Sequence, residues 1–465
     1  MPSWYRPIVL LGIGLLLSIP TVAPAQESVV GAWSGALSVQ GTELRIVFHV
    51  EQGDDGLTAT MDSPDQGVTE IPVSRVSVAG DSVTFAVDRI GGTYEGALAD
   101  DGAEIEGQWT QGGRSFPLTL TPTSEADTAP PPRPQHPEPP YPYAVDSVTV
   151  QNEAADLRLA GTLTRPEDDG PHPAVVLVSG SGPQDRNSEV FNHKLFHVLA
   201  DHLTRRGIAV LRYDERGVGA SGGTFDGATS EDFATDVAAA VRFLRNRSEI
   251  DADAVGLLGM SEGGLVAPMV HIQFEPVDFL VLMAGPSVPG HEILVEQAAR
   301  ITAAQGAPSG AVDSIRSVQR RTLEGVATAP DSAAAAEHLR SVLEKEGAGP
   351  DRIQAQIDQA TAPWFRFFVR YDPAPTLRQV EVPILALYGS KDLQVPPEQN
   401  VGPMRTALRE SPSRDATVRV LDGLNHLFQP AETGLPTEYA QIETTIAPRA
   451  LQAVSSWIRE RTAVD

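Results

Sequence analysis

The sequence predicts two folded units in series: a small all-β domain, then a larger α/β domain whose mostly parallel sheet carries helices on both faces. Three observations support this. Between residues 28 and 121, short segments of alternating apolar and polar residues recur with turn residues between them. Nine prolines crowd into residues 122–142. Beyond Ala144, continuous apolar runs alternate with helical stretches, the pattern of strands buried on both faces.

Residues 1–25 have the anatomy of an export signal. Arg6 supplies positive charge, residues 8–19 form an apolar run, and Val22-Ala23-Pro24-Ala25 ends in small residues suited to cleavage after Ala25. The run falls short of the roughly 20 apolar residues a spanning helix needs. The expectation is an exported protein, periplasmic or secreted, with no stable membrane anchor after cleavage.

In residues 28–121, Leu44, Ile46, Phe48 and Val50 alternate with Glu43, Arg45 and His49, and Val83, Phe85 and Val87 repeat the pattern. Turn chemistry such as Gly53-Asp54-Asp55-Gly56 and Asp100-Asp101-Gly102 separates the segments. The unit reads as an antiparallel barrel or sandwich and resembles a small lipocalin barrel. It shows no internal polar constellation, so a stabilising or docking role is expected of it. Residues 122–143 read as a semi-rigid Pro-rich linker, about 3.1 Å per residue if extended.

The α/β domain, 144–465, begins with a hairpin, 147–151 with 157–164. Buried strands follow at 173–178, 208–213, 254–258, 279–284, 384–388 and 417–421. Helices are expected near 190–206, 231–246, from Glu262, and over 447–461. Between about 286 and 378 the alternation stops and the sequence turns helical and Ala-rich, which predicts a helical cap inserted between two core strands.

Composition narrows the chemistry. The formal net charge of −26 over 465 residues argues against a nucleic-acid partner, which needs a basic footprint. With no cysteine, disulfides, thiolate zinc sites, Fe–S clusters and a cysteine nucleophile are excluded.

The sharpest motif is Gly259-Met260-Ser261-Glu262-Gly263, a G-x-S-x-G placed after an apolar strand and opening a helix. Small flanking residues allow a strained turn that exposes the Ser261 hydroxyl, and the Glu262 N–H is aimed at a developing oxyanion. Such a serine needs an acid and then a base, in that chain order. Asp392 follows the strand 383–388, and His426 follows the strand 417–421, with Asp422 as the rival acid. The second oxyanion N–H is expected from the loop Ser179-Gly180-Ser181-Gly182, at Ser181 or alternatively Gly182.

Three further patterns point to structure rather than chemistry. Gly217-Val218-Gly219-Ala220-Ser221-Gly222 matches a dinucleotide fingerprint, but the next helix starts too late to meet a pyrophosphate, so Asp214 and Arg216 are expected to shape that loop. His193 and His197 are spaced four apart but lack the glutamate of a zinc helix, and no metal is expected. Aromatics gather at Trp364, Phe365, Phe367, Phe368 and Tyr371, as cap core or as a wall facing substrate.

Together the segments 178–187, 212–223, 259–264, 389–397 and 424–428 resemble bacterial α/β-hydrolases of the serine-aminopeptidase-like branch. More narrowly, they resemble exported carboxylesterases of the esterase-D-like group, with an N-terminal β domain. The resemblance implies Ser261 as nucleophile, Asp392 as acid and His426 as base, acting on a small-molecule ester without cofactor. A cap wall of Trp364 and Phe368 would favour short to medium acyl chains. Aminopeptidase, thioesterase or lactonase activity with the same triad stays open, as does a ligand-binding protein with an inert hydrolase domain.

Overall fold

The structure, a computed structural model, describes residues 29–39, 42–53, 56–64, 68–124 and 131–462. The expected signal peptide lies outside the described residues, as do residues 125–130 of the expected linker. The described residues fall into two compact units, 29–124 and 131–462.

The first unit is one curled, all-antiparallel sheet. Its strands are β1 (Gly31–Val39), β2 (Thr42–Gly53), β3 (Gly56–Ser63), β4 (Val68–Pro72), β5 (Arg75–Ala79), β6 (Ser82–Val87), β7 (Gly92–Leu98), β8 (Ile105–Gln111) and β9 (Arg114–Pro122). The order is β4-β3-β2-β1-β9-β8-β7-β6-β5, so the first strand pairs with the last and joins two meanders. The alternating residues turn inward: Phe48 stacks on Phe85 at 4.5 Å, and Tyr94 and Trp109 pack beside them. A Cβ at Gly92 would overlap the Trp109 ring, so only glycine lets that indole lie flat on the strand. The buried Tyr94 hydroxyl donates to the Ile105 and Leu118 carbonyls. The interior is thus filled by the unit's own aromatic side chains.

The second unit is a mixed sheet with helices on both faces. Its strands are β10 (Ala144–Asn152), β11 (Leu157–Arg165), β12 (His172–Val178), a two-residue pair β13 (Glu189–Val190) and β14 (His193–Lys194), β15 (Ala209–Tyr213), β16 (Ile250–Met260), β17 (Leu280–Met283), β18 (Ile384–Gly389) and β19 (Ala416–Leu421). The main order is β10-β11-β15-β12-β16-β17-β18-β19, antiparallel through the opening hairpin and parallel from β15 onward. The central strands are buried along their whole length, which is why they read as unbroken apolar runs.

Helices α1 (Leu195–Thr204), α2 (Ser230–Arg245) and α3 (Gly263–Gln273) follow the core strands. The cap is α4 (Gly290–Ala304), α5 (Ser309–Thr328), α6 (Ser332–Lys345), α7 (Pro350–Thr361), α8 (Pro363–Arg370) and α9 (Ala374–Leu377), inserted between β17 and β18. Helices α10 (Pro397–Glu410) and α11 (Pro448–Thr462) complete the unit. Helix α2 starts where its capping box dictates: the Thr229 side chain accepts from the Asp232 N–H and the Asp232 carboxylate from the Thr229 N–H.

Two expectations need correction. The helix expected from residue 190 begins only at Leu195, because Phe191 and Asn192 take φ of 50° and 60° and turn the chain between β13 and β14. His193 therefore lies on a strand, outside the helix that carries His197. The Pro-rich segment is also not a spacer along its whole length. Pro122 ends β9, whereas residues 131–143 lie on the α/β unit, held by side chains the composition does not reveal.

Candidate active site

Three parallel strands deliver the candidate residues to the C-terminal edge of the sheet, where open α/β sheets place their sites. Ser261 follows β16 with φ 54°, the left-handed region that costs a non-glycine residue strain. Its neighbours make the turn possible. A Cβ at Gly259 would overlap the Gly263 carbonyl, one at Gly263 the Val178 carbonyl, and one at Gly264 would sit 2.6 Å from the Gly285 Cα. The Ser261 N–H donates to the Met283 carbonyl at 2.8 Å, fixing the elbow to β17.

The loops after β18 and β19 are stitched together. The Ser390 N–H donates to the Leu421 carbonyl and the Lys391 N–H to the Leu424 carbonyl, and a Cβ at Gly389 would collide with the Leu424 carbonyl. Asp392 is thereby brought under His426, Oδ2 to Nδ1 at 2.9 Å. Its Oδ1 accepts from the Gln394 and Val395 N–H groups at 2.8 and 2.9 Å, so both oxygens of this 2 % exposed carboxylate are satisfied. The rival Asp422 instead accepts from the Ser390 hydroxyl at 3.0 Å. His426 sits in a turn closed by the Asn425 side chain, whose Nδ2 donates to Gln429 Oε1 and whose Oδ1 accepts from the Gln429 N–H, both at 2.9 Å. With Nδ1 on Asp392, the other ring nitrogen is left for chemistry.

Ser261 and His426 line one cavity of about 390 Å³. Gly180, Ser181 and Glu262 line it too, whereas Gly182 does not, which favours Ser181 over Gly182 for the second oxyanion N–H. Glu262 is the N-cap residue of α3, so its N–H lies at the start of that helix. Trp364 and Phe368 on α8 also line the cavity, stacked on each other at 5.6 Å, while Phe367 pairs with Tyr371.

Residues 175–432, more than half of the chain, match the family described as serine aminopeptidase, S33 (Hydrolase_4). The chain belongs to this family. It is 26% identical to esterase EstD of Thermotoga maritima over 302 residues, which span 64% of this chain and 65% of that relative's length. Among solved structures, the Pyrococcus furiosus esterase Pf2001 aligns with 69% of this chain and 92% of its own, at 15% identity and TM-score 0.44. Est1E of Butyrivibrio proteoclasticus, solved with ferulic acid, aligns with 68% of this chain and all of its own (100%), at 14% identity and TM-score 0.41.

Within this serine-aminopeptidase-family chain, two buried carboxylates back the expected oxyanion loop, and sequence reasoning gave neither side chain a role. Glu215 accepts from the Ser179 hydroxyl at 2.6 Å and from the Gln184 N–H at 2.9 Å, pinning the loop at both ends; burial pushes its carboxyl up to about 8. The Glu262 carboxylate accepts from the Ser230 hydroxyl at 2.6 Å and Trp364 Nε1 at 2.8 Å, and from Ser181. Burial raises its pKa, and those three donors oppose the rise. One carboxylate therefore ties the elbow, the Ser181 loop and the cap together. The glycine motif 217–222 shapes the same neighbourhood. A Cβ at Gly219 would sit 2.5 Å from an Asp214 carboxylate oxygen, and that carboxylate holds Arg186, four residues past Gly182, through Nε and Nη2 at 2.9 and 2.7 Å. Arg216 pairs with Asp236 at 2.7 Å.

Proposed function

We propose that the chain is an exported serine carboxylesterase acting on small-molecule esters of short to medium acyl chains. One observation carries the reading: a serine on a strained elbow opens on the same cavity as a histidine whose Nδ1 is held by a buried, fully bonded aspartate. In this mechanism His426 Nε2 takes the Ser261 proton as Oγ bonds to the ester carbonyl carbon, and the carbonyl electron pair moves onto oxygen. The N–H groups of Ser181 and Glu262 receive that oxyanion. Its collapse expels the alcohol, which takes the proton from His426. Water repeats the sequence on the acyl-enzyme and releases the acid. Asp392 keeps the imidazole in the required tautomer and stabilises its cation. Export rests on the sequence of residues 1–25.

The cavity lining supports an uncharged substrate. Among the described residues Glu262 is its one acidic side chain, and it has no lysine or arginine. An aminopeptidase must hold a substrate ammonium, yet the Glu262 oxygens are already engaged by three donors. An inert ligand-binding role is weighed against by a triad with no member missing. A panel of acyl esters, thioesters and aminoacyl anilides, run on the parent and on Ser261→Ala, tests the reading. Acetyl to hexanoyl esters should be turned over fastest, and all turnover should fall roughly 10⁴-fold in Ser261→Ala. Faster cleavage of the anilides than of the esters would refute it.

A further inference from the structure

Arg133 lies in the Pro-rich segment, outside the residues that match the family, yet only 9 % of it is exposed. Among the described residues its guanidinium has no ion-pair partner, the Glu443 carboxylate acting on it only from a longer distance. It donates instead to main-chain carbonyls of two separate segments: Nη2 to Phe191 at 3.0 Å and to Ala440 at 2.6 Å, and Nη1 to Ile442 at 3.1 Å. A longer contact of 3.5 Å reaches its own neighbour, the Pro132 carbonyl. Burying a cation is costly unless its donors are met; here the two terminal nitrogens of the planar fork donate to carbonyls of both segments, while Nε is buried without a partner among the described residues.

Those two segments are walls of the cavity. Phe191, in the turn between β13 and β14, and Tyr439, in the 3₁₀ turn Pro436–Gln441, both line it, and their rings meet edge to face at 5.9 Å. The Tyr439 hydroxyl accepts from Gln394 Nε2 at 3.0 Å, and the Gln394 N–H donates to Asp392. Gln135, two residues past Arg133, accepts from the Thr445 and Ile446 N–H groups at 2.7 and 2.9 Å, which seats the strap beside the same loop. The flanking prolines restrict the backbone before docking, so less entropy is lost on seating it.

We propose that Arg133 is a positioning residue of the acyl site: it clamps the Phe191 and Tyr439 walls together, which makes the Pro-rich strap a structural part of the substrate cavity. The proposal rests on the esterase reading and extends it to a residue far from the triad.

The test uses the full-length chain with Arg133→Ala, and two readouts. Amide hydrogen exchange should quicken in residues 189–194 and 436–442, whether or not any ester is turned over. The KM for hexanoyl esters should rise about five-fold or more relative to acetyl esters, with kcat for each falling less than about two-fold. Arg133→Lys keeps the cation but not the planar fork, and should show the same two changes in smaller degree; it provides the comparison if the alanine variant does not fold. Unchanged exchange in both segments would overturn the proposal. A lowered melting temperature with the parent's hexanoyl-to-acetyl KM ratio would also overturn it, leaving Arg133 a stabilising residue only. If the parent turned over no ester, the esterase reading would fall and exchange alone would decide the clamp.

Discussion

A serine at φ 54° is held there against its own preference, a cost of order 1–3 kcal/mol that the packed glycines and the bond to Met283 offset. Ser261→Gly should therefore melt higher than the parent, by the equivalent of about 1 kcal/mol, while losing turnover; thermal unfolding beside an ester assay reads both. The acid is decided just as locally. Asp392→Asn should lower kcat by roughly 10⁴-fold, because the amide favours the wrong imidazole tautomer. Asp422→Asn should stay within a few-fold of the parent; an equal loss in the two variants would return Asp422 as the acid. The candidate triad is legible in the sequence because each proposed member follows a strand end in a fixed chain order. Glu215 and the Glu262 carboxylate are not, since a buried carboxylate gets its role from whichever hydroxyls and amides the fold brings to it.

The elements show what periodicity can and cannot carry. Buried strands and the helical cap announce themselves as apolar runs and an Ala-rich interruption. The turn at Phe191-Asn192 does not: a single left-handed pair interrupts what reads as a helix, and with it goes the cavity wall that Phe191 forms. The strap is less legible still, because Arg133 and Ala440 are 307 residues apart. On α8, Phe368 lines the cavity without touching the Glu262 carboxylate, so it is the cleaner probe of chain-length selection than Trp364. Phe368→Ala should raise kcat/KM for octanoyl relative to acetyl esters, since each methylene admitted to an apolar pocket is worth about 1–3 kcal/mol. The parent's profile in that variant would make Phe368 cap core only.

Over the whole molecule, buried titratable groups set a pH window for stability. Burial pushes His136, His193, His197 and His202 down to about 4 from an ordinary 6.5. The unfolded chain takes up those protons first, so stability present above 6.5 is lost as pH falls through 4. Glu215 works the other way: held near 8 against 4.5 unfolded, it contributes stability that is present below 4.5 and lost as pH rises through 8. The four histidines outweigh the raised carboxyls of Glu215, Glu262 and Asp236 on the acid side, so the melting temperature should peak at about pH 6.5. Glu215→Gln should flatten the alkaline limb without removing it, because burial also raises Glu262 and Asp236. The proposed esterase chemistry stands on the nucleophile, and labelling with an alkyl fluorophosphonate, mapped by peptide mass spectrometry, tests it most directly. The label should sit on Ser261 alone, form several orders of magnitude more slowly in His426→Ala, and be absent from Ser261→Ala. A label that persists in Ser261→Ala, or that maps to another serine in the parent, would contradict it.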